Sequence, residues 1–303
     1  MIKNFDALLE QVKEGKKVTV AIAAAADEAA LGAIAEAQAL GIADAILFGE
    51  GGKIGRIYAE LTGHKEVPFE IREVKDDTAA ARSAVASVRS GEAQILLKGK
   101  IKTAALLKAV LDSESGLRSS HLLSDVFIFE DPALPDNQLV MITDGGVTLK
   151  PDLKQKIEII ENAVAVAHAL GNERPRVAVL SAVETVNPAL PGTIDAAVLS
   201  KMNQRGQIKG CLIDGPLALD NAVSSEAARI KGISSPVAGQ AEILLCPDIE
   251  SANMLAKSTT YFARLRLGHV IMGSTAPVLI PSRADSADSK LLSIAVGKLV
   301  CRQ

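Results

Sequence analysis

The chain has 303 residues, room for two domains at about 150 residues each. Hydrophobic residues make up 48% and aromatics 3%, with no Trp, so its cores are built from Ala, Val, Ile and Leu. That composition suits buried parallel strands and excludes a base-stacking RNA binder, while 33 basic against 36 acidic residues leave no basic stripe for a polyanion.

Short apolar runs alternate with helical patterns along the chain. In the first half they predict strands over 18–24, 43–48, 69–74, 93–97, 126–129 and 139–143, with helices over 28–40, 78–89 and 103–111. The second half predicts strands over 176–180, 210–213, 242–246, 269–272 and 278–280. Its helices are expected over 154–170, 194–203, 222–230 and 251–262, with a last amphipathic one over 290–300. Such alternation predicts an α/β fold of mostly parallel sheets covered on both faces. The polar turn Asp144-Gly145-Gly146, with Lys150-Pro151-Asp152 before a long helix, is the expected boundary between two halves.

Cys211, Cys246 and Cys301 form no C-x-x-C pair, so they read as small hydrophobes rather than a disulfide framework or zinc site. His64, His121, His168 and His269 lack metal-ligand spacing, and no metal is expected. The start of the chain carries no signal-peptide pattern, and its most apolar windows are too short to span a membrane. A cytoplasmic protein is the expectation.

Four segments gather chemistry where a predicted strand hands over to a helix, the place where open α/β sheets bind ligands. The richest is Ile280-Pro281-Ser282-Arg283-Ala284-Asp285-Ser286-Ala287-Asp288-Ser289, with a hydroxyl, a guanidinium and two carboxylates. An Arg fork suits phosphate, and a helix start offers free N–H groups to an anion. The bland alternative is a capping loop. The second is Lys98-Gly99-Lys100-Ile101-Lys102-Thr103, where a glycine lets backbone approach a ligand and ammonium groups favour negative charge. The G-x-x-x-x-G-K-[ST] phosphate loop is absent. The third is Asp214-Gly215-Pro216-Leu217, a candidate turn opening a helix, and the fourth is Pro236-Val237-Ala238-Gly239-Gln240. Gly49, Gly51, Gly52 and Gly55 nearly spell a dinucleotide fingerprint without meeting it.

Taken together, these segments resemble the phosphate acetyl/butyryltransferase family, and within it the butyryl branch. The likeness rests on Lys98 to Thr103, Ser181-Ala182-Val183-Glu184, Asp214 to Leu217, Ser235 to Gly239 and Pro247-Asp248 with Asn253 and Lys257. Tyr261-Phe262-Ala263 and Ser282 to Ser286 complete it. The resemblance implies two α/β/α domains with an interdomain cleft, an isocitrate/isopropylmalate dehydrogenase-like architecture. It places residues 1–147 plus 284–303 in the first domain and 148–283 in the second, with a homodimer or higher homo-oligomer as the assembly.

The implied reaction is butanoyl-CoA + phosphate = butanoyl phosphate + CoA, with coenzyme A as substrate and no permanently bound cofactor. Implied site residues are Ser282, Arg283, Asp288 and Asp285 for catalysis, with Lys98, Lys100, Thr103, Gly215, Pro216 and Gly239 against phosphate or coenzyme A. The acetyl enzymes carry an Asp seven residues after the motif's Ser, assigned as base for the thiol; here Ser289 stands there, and Asp288 is favoured over Asp285. Acetyl, propionyl or branched acyl groups are the nearest alternatives. A metal-dependent decarboxylating dehydrogenase and a non-catalytic acyl-CoA-binding module are the more distant ones. Neither nucleic acid nor membrane is an expected partner.

Overall fold

The chain opens with α1 (Phe5–Lys13), β1 (Val18–Ala23), α2 (Glu28–Ala39), β2 (Ala43–Gly49), α3 (Gly51–Thr62), β3 (Glu70–Glu73), α4 (Asp77–Arg89), β4 (Ile95–Lys98) and α5 (Thr103–Val110). Its middle carries β5 (Ser124–Glu130), β6 (Leu139–Thr143), α6 (Leu153–Ala169), β7 (Arg176–Leu180), α7 (Pro191–Gln204) and β8 (Leu212–Leu217). Then come α8 (Leu219–Val223), α9 (Ser225–Ile230), β9 (Ile243–Leu245) and α10 (Ile249–Tyr261). It closes with β10 (Leu267–Met272), β11 (Val278–Leu279) and α11 (Ala287–Val300). The structure, a computed structural model, describes residues 1–301. Every strand the apolar runs predict is present, displaced by a few residues at most.

The chain divides into two compact units. The first holds Phe5–His121 and the chain from Arg266 onward. Its strands run in the order β3-β2-β1-β4-β11-β10, parallel except for the antiparallel β10–β11 pair. The second holds Met1–Asn4 and Leu122–Leu265, with the order β5-β6-β9-β7-β8, parallel except for β5–β6. The first few residues join the second unit because Leu139 N–H donates to the Lys3 carbonyl at 2.8 Å and Ile2 N–H to the Leu170 carbonyl at 2.7 Å.

These divisions differ from those expected at 147/148 and 283/284. Strand pairing is the reason. β5 and β6 pair with each other and β6 pairs with β9, so both belong with the middle of the chain. β11 pairs with β4, which draws the chain back into the first unit from Arg266 rather than from residue 284. The Asp144 turn, expected to be the boundary, lies inside the second unit, where Asn253 Nδ2 donates to the Gly145 carbonyl at 2.8 Å.

Three local differences have physical causes. α1 and α3 are helices the pattern does not predict. α3 has Gly at three of its first five positions, a poor helix start, yet Ile54 and Tyr58 bury one face. The helix expected over 222–230 is broken at Ser224, whose extended backbone ends α8 while its hydroxyl accepts the Ala227 N–H to start α9. β8 runs straight through Gly215-Pro216 with a register shift against β7, so that dipeptide is a strand irregularity rather than a turn.

α11 also departs from its expected amphipathic form. Every residue from Lys290 to Leu299 is buried, Lys290 and Lys298 included. A helix enclosed on all sides is a core element. It packs on α2 and β10, and close approach is possible because Gly268 meets the Leu292 backbone where a Cβ would lie at 3.2 Å.

Candidate active site

In the first unit β1, β4 and β11 are parallel neighbours, so their carboxyl ends emerge together. Each end carries one of the site's loops. After β1 the chain turns through Ala24 at φ 55°, a left-handed conformation costing about 1–2 kcal/mol in a residue with a Cβ. It reaches Asp27, which caps α2 by accepting the Ala30 N–H at 2.8 Å.

The β4 loop is stitched onto that turn. Gly99 N–H donates to the Ala23 carbonyl at 2.9 Å and Lys100 N–H to the Ala24 carbonyl at 2.8 Å. A Cβ at Gly99 would stand 2.3 Å from the Ala24 oxygen, so only glycine fits there. The loop then enters α5 at Thr103, and no side chain caps that helix. Lys100 and Thr103 are exposed. The first N–H groups of α5 are therefore left to water or to an anion.

The β11 loop is shaped by its own carboxylate. Asp285 Oδ2 accepts the Ser282 N–H at 2.7 Å, and Asp285 N–H donates to the Ser282 carbonyl at 3.1 Å. His269 Nε2, from β10, stands 3.9 Å from the same Asp285 oxygen. Ser286 caps α11 through the Ser289 N–H. Ser282 is half-buried and Arg283 exposed. Asp288, in the first turn of α11, is exposed and lies 3.6 Å from Arg266 Nε.

Beneath these loops lie two buried lysines with different surroundings. Lys290 Nζ sits 2.7 Å from Asp27 Oδ1, an ion pair tying α11 to the β1 turn. Among the described residues, Lys98, 3% exposed, has as hydrogen-bond partners only the Gly99 and Ile101 carbonyls, at 3.3 and 3.5 Å. Charge-assisted bonds are normally about 2.7–2.9 Å, so these are weak contacts. Burial holds the Lys98 ammonium below its usual pKa, and the Lys290 and Arg283 cations push the same way against Asp27 and Asp285.

Of the residues predicted from sequence, Lys98, Ser282, Arg283 and Asp285 converge here, with Lys100, Thr103 and Asp288 on the same loops. Gly215, Pro216 and Gly239 belong to the second unit, and packing there accounts for both glycines. A Cβ at Gly215 would meet the Val179 oxygen at 2.8 Å, and one at Gly239 the Ser225 Cα at 2.4 Å. Sequence reasoning missed Asp27, Lys290 and His269. A lysine inside the apolar run of α11 was the available signal for Lys290, since a long charged side chain in such a run is buried only when paired.

Elsewhere the chemistry is thinner. A concavity of about 840 Å³ in the second unit is lined by residues of α7 and β8 together with Cys211, whose thiol burial pushes up to about 11. It therefore presents no thiolate. Among the described residues no group of three or more His, Cys, Asp or Glu side chains is placed to hold a metal ion, and no helix is long and apolar enough to cross a membrane.

The chain is 47% identical over 300 residues to a phosphate butyryltransferase of Clostridium beijerinckii, covering 99% of this chain and 98% of that protein. It is 45% identical over 288 residues to a phosphate acetyltransferase of Thermotoga maritima, covering 95% and 97%. The crystal structure of a branched-chain phosphotransacylase from Enterococcus faecalis superposes with a TM-score of 0.82 at 34% identity, covering 94% of this chain and 99% of that one. The phosphate acetyl/butaryl transferase pattern matches residues 52–297, and the chain belongs to that family.

Proposed function

We propose that the protein transfers a butyryl group between coenzyme A and orthophosphate. The observation that carries this reading is the cationic cluster at the carboxyl ends of β1, β4 and β11. There, the exposed Arg283 and the buried Lys98 and Lys290 lie with Asp27 and Asp285 beside the uncapped start of α5. The exposed Arg283 guanidinium with the free N–H groups of α5 suits a phosphate dianion.

In this reading Arg283 and the α5 start hold the phosphate, with Lys100 and Thr103 at its edge. Holding phosphate and thioester together supplies about 7–11 kcal/mol of the barrier through orientation. The Ser282 hydroxyl donates to the carbonyl oxygen as negative charge develops, worth about 3 kcal/mol when well aimed. Asp285 is a positioning residue, since its carboxylate is engaged with the Ser282 N–H. Asp288, exposed at the start of α11, exchanges the thiol proton with solvent. Coenzyme A is a substrate here, and no resident cofactor is invoked.

The test is release of free thiol from butyryl-CoA with and without phosphate, repeated on acetyl-CoA and on a branched acyl-CoA. Phosphate-dependent release fastest on butyryl-CoA is the expected result. A preference for acetyl or branched acyl groups moves the acyl specificity, an outcome the 45% identical acetyltransferase and the branched-chain structure make specific. Binding of acyl-CoA without release sinks the enzymatic reading. A homodimer is part of the proposal, supported by exposed Ile194 and Val198 one turn apart on α7, and sedimentation tests it.

A further inference from the structure

Lys98 stands out among the ionisable groups of the site. It is buried at the last position of β4, no carboxylate lies within ion-pair distance of its Nζ among the described residues, and its two carbonyl contacts are long. The charged groups acting on it come from three sides. Asp27 faces it from the β1 turn, Arg283 and Asp285 from the β11 loop, and Lys290 from α11. Lys290 is already committed to Asp27. Arg283 cannot lose its proton in a protein. Lys100 is exposed and Asp285 holds the Ser282 backbone, so neither shares this environment.

A buried amine with no carboxylate partner, its proton affinity lowered by burial, can do what a fixed cation cannot. Resting on the acyl-transfer reading above, we propose that Lys98, as a neutral amine, takes the hydroxyl proton of orthophosphate while a phosphate oxygen attacks the acyl carbon. The phosphate O–H bond breaks and an N–H bond forms on Lys98. A C–O bond forms at the acyl carbon, and the C–S bond breaks with its electron pair leaving on sulfur. The thiolate takes a proton from water and the Lys98 ammonium returns its proton to water, so the net change is one proton moved from phosphate to coenzyme A.

The experiment compares wild-type protein with Lys98→Arg, measuring kcat and KM for phosphate across pH with butyryl-CoA. Arginine keeps a cation but cannot accept a proton at any working pH. The expected result is little change in KM for phosphate, a fall in kcat of about 10²–10⁴-fold, and loss of the limb that rises with pH as Lys98 deprotonates. Should the guanidinium fail to fit and the variant fail to fold, Lys98→Ala decides. Small primary amines should restore its turnover in order of their basicity, while guanidinium should not. Wild-type kcat and pH profile in Lys98→Arg, or equal rescue by guanidinium, overturns the proposal and leaves Lys98 as a fixed charge. Wild-type protein that releases no thiol with phosphate overturns the acyl-transfer reading itself, and the proposal with it.

Discussion

Asp144 in the second unit and Lys98 in the first are equally buried, each 3% exposed, and each ends a strand or follows directly from one. Their surroundings are opposite. Asp144 Oδ1 accepts the N–H groups of Asp125, Gly146 and Val147 at 2.9–3.1 Å, and Oδ2 accepts that of Thr148 at 2.8 Å. Burial and the neighbouring Asp125 still raise its pKa against the pull of those donors. Among the described residues Lys98 has no comparable shell. A buried ionisable group wrapped by its own chain holds a turn together, whereas one left with weak contacts is available to a ligand and costs stability.

The largest expected effect tests the wrapped group. Asp144→Ala strands four backbone N–H groups, each worth about 1–3 kcal/mol when left unpaired, so urea denaturation should show a loss of about 3 kcal/mol or more. A loss near zero would mean that water replaces the carboxylate and that the contrast with Lys98 is empty. Gly99→Ala should follow. Its Cβ drives into the Ala24 carbonyl, an overpacking cost of about 1–3 kcal/mol visible as a lower thermal midpoint.

The sharpest test is Lys98→Met, which should stabilise the fold by about 1 kcal/mol while removing turnover, because an apolar chain replaces a poorly satisfied cation. The pH dependence carries the same sign. With the folded pKa of Lys98 below its unfolded value, the unfolded chain binds more protons between the two. Stability of the wild type therefore rises with pH through that window. Lys98→Met should lack this rise; a parallel pH profile in both proteins would show that the ammonium is well accommodated. Arg283→Ala, at an exposed loop position, should remove turnover yet shift stability by no more than about 0.5 kcal/mol. Normal turnover in that variant would move the phosphate site elsewhere.

Much of this site is legible in the residues. Ser282, Arg283 and Lys98 were expected at strand ends because apolar runs locate strands, and the residues after them locate loops. The shared place of the three loops follows from a parallel sheet. The partners of those residues were not legible. Asp27 precedes one predicted helix and Lys290 opens another, and only their 2.7 Å contact reveals a buried ion pair. That Asp285 rather than Asp288 folds back on the Ser282 N–H is likewise something spacing along the chain does not contain.

The sequence by itself determined the α/β alternation, the positions of the apolar strands and the polar segments that follow them, since each depends on periodicity over a few neighbouring residues. Tertiary structure alone decided that α3 forms despite its glycines, that Gly215-Pro216 continues a strand and that the units divide after His121 and Leu265. It alone also decided that Lys98 is buried with no carboxylate within ion-pair distance among the described residues. Those outcomes depend on strand pairing, burial and charge between residues far apart in the chain, where local pattern carries no information.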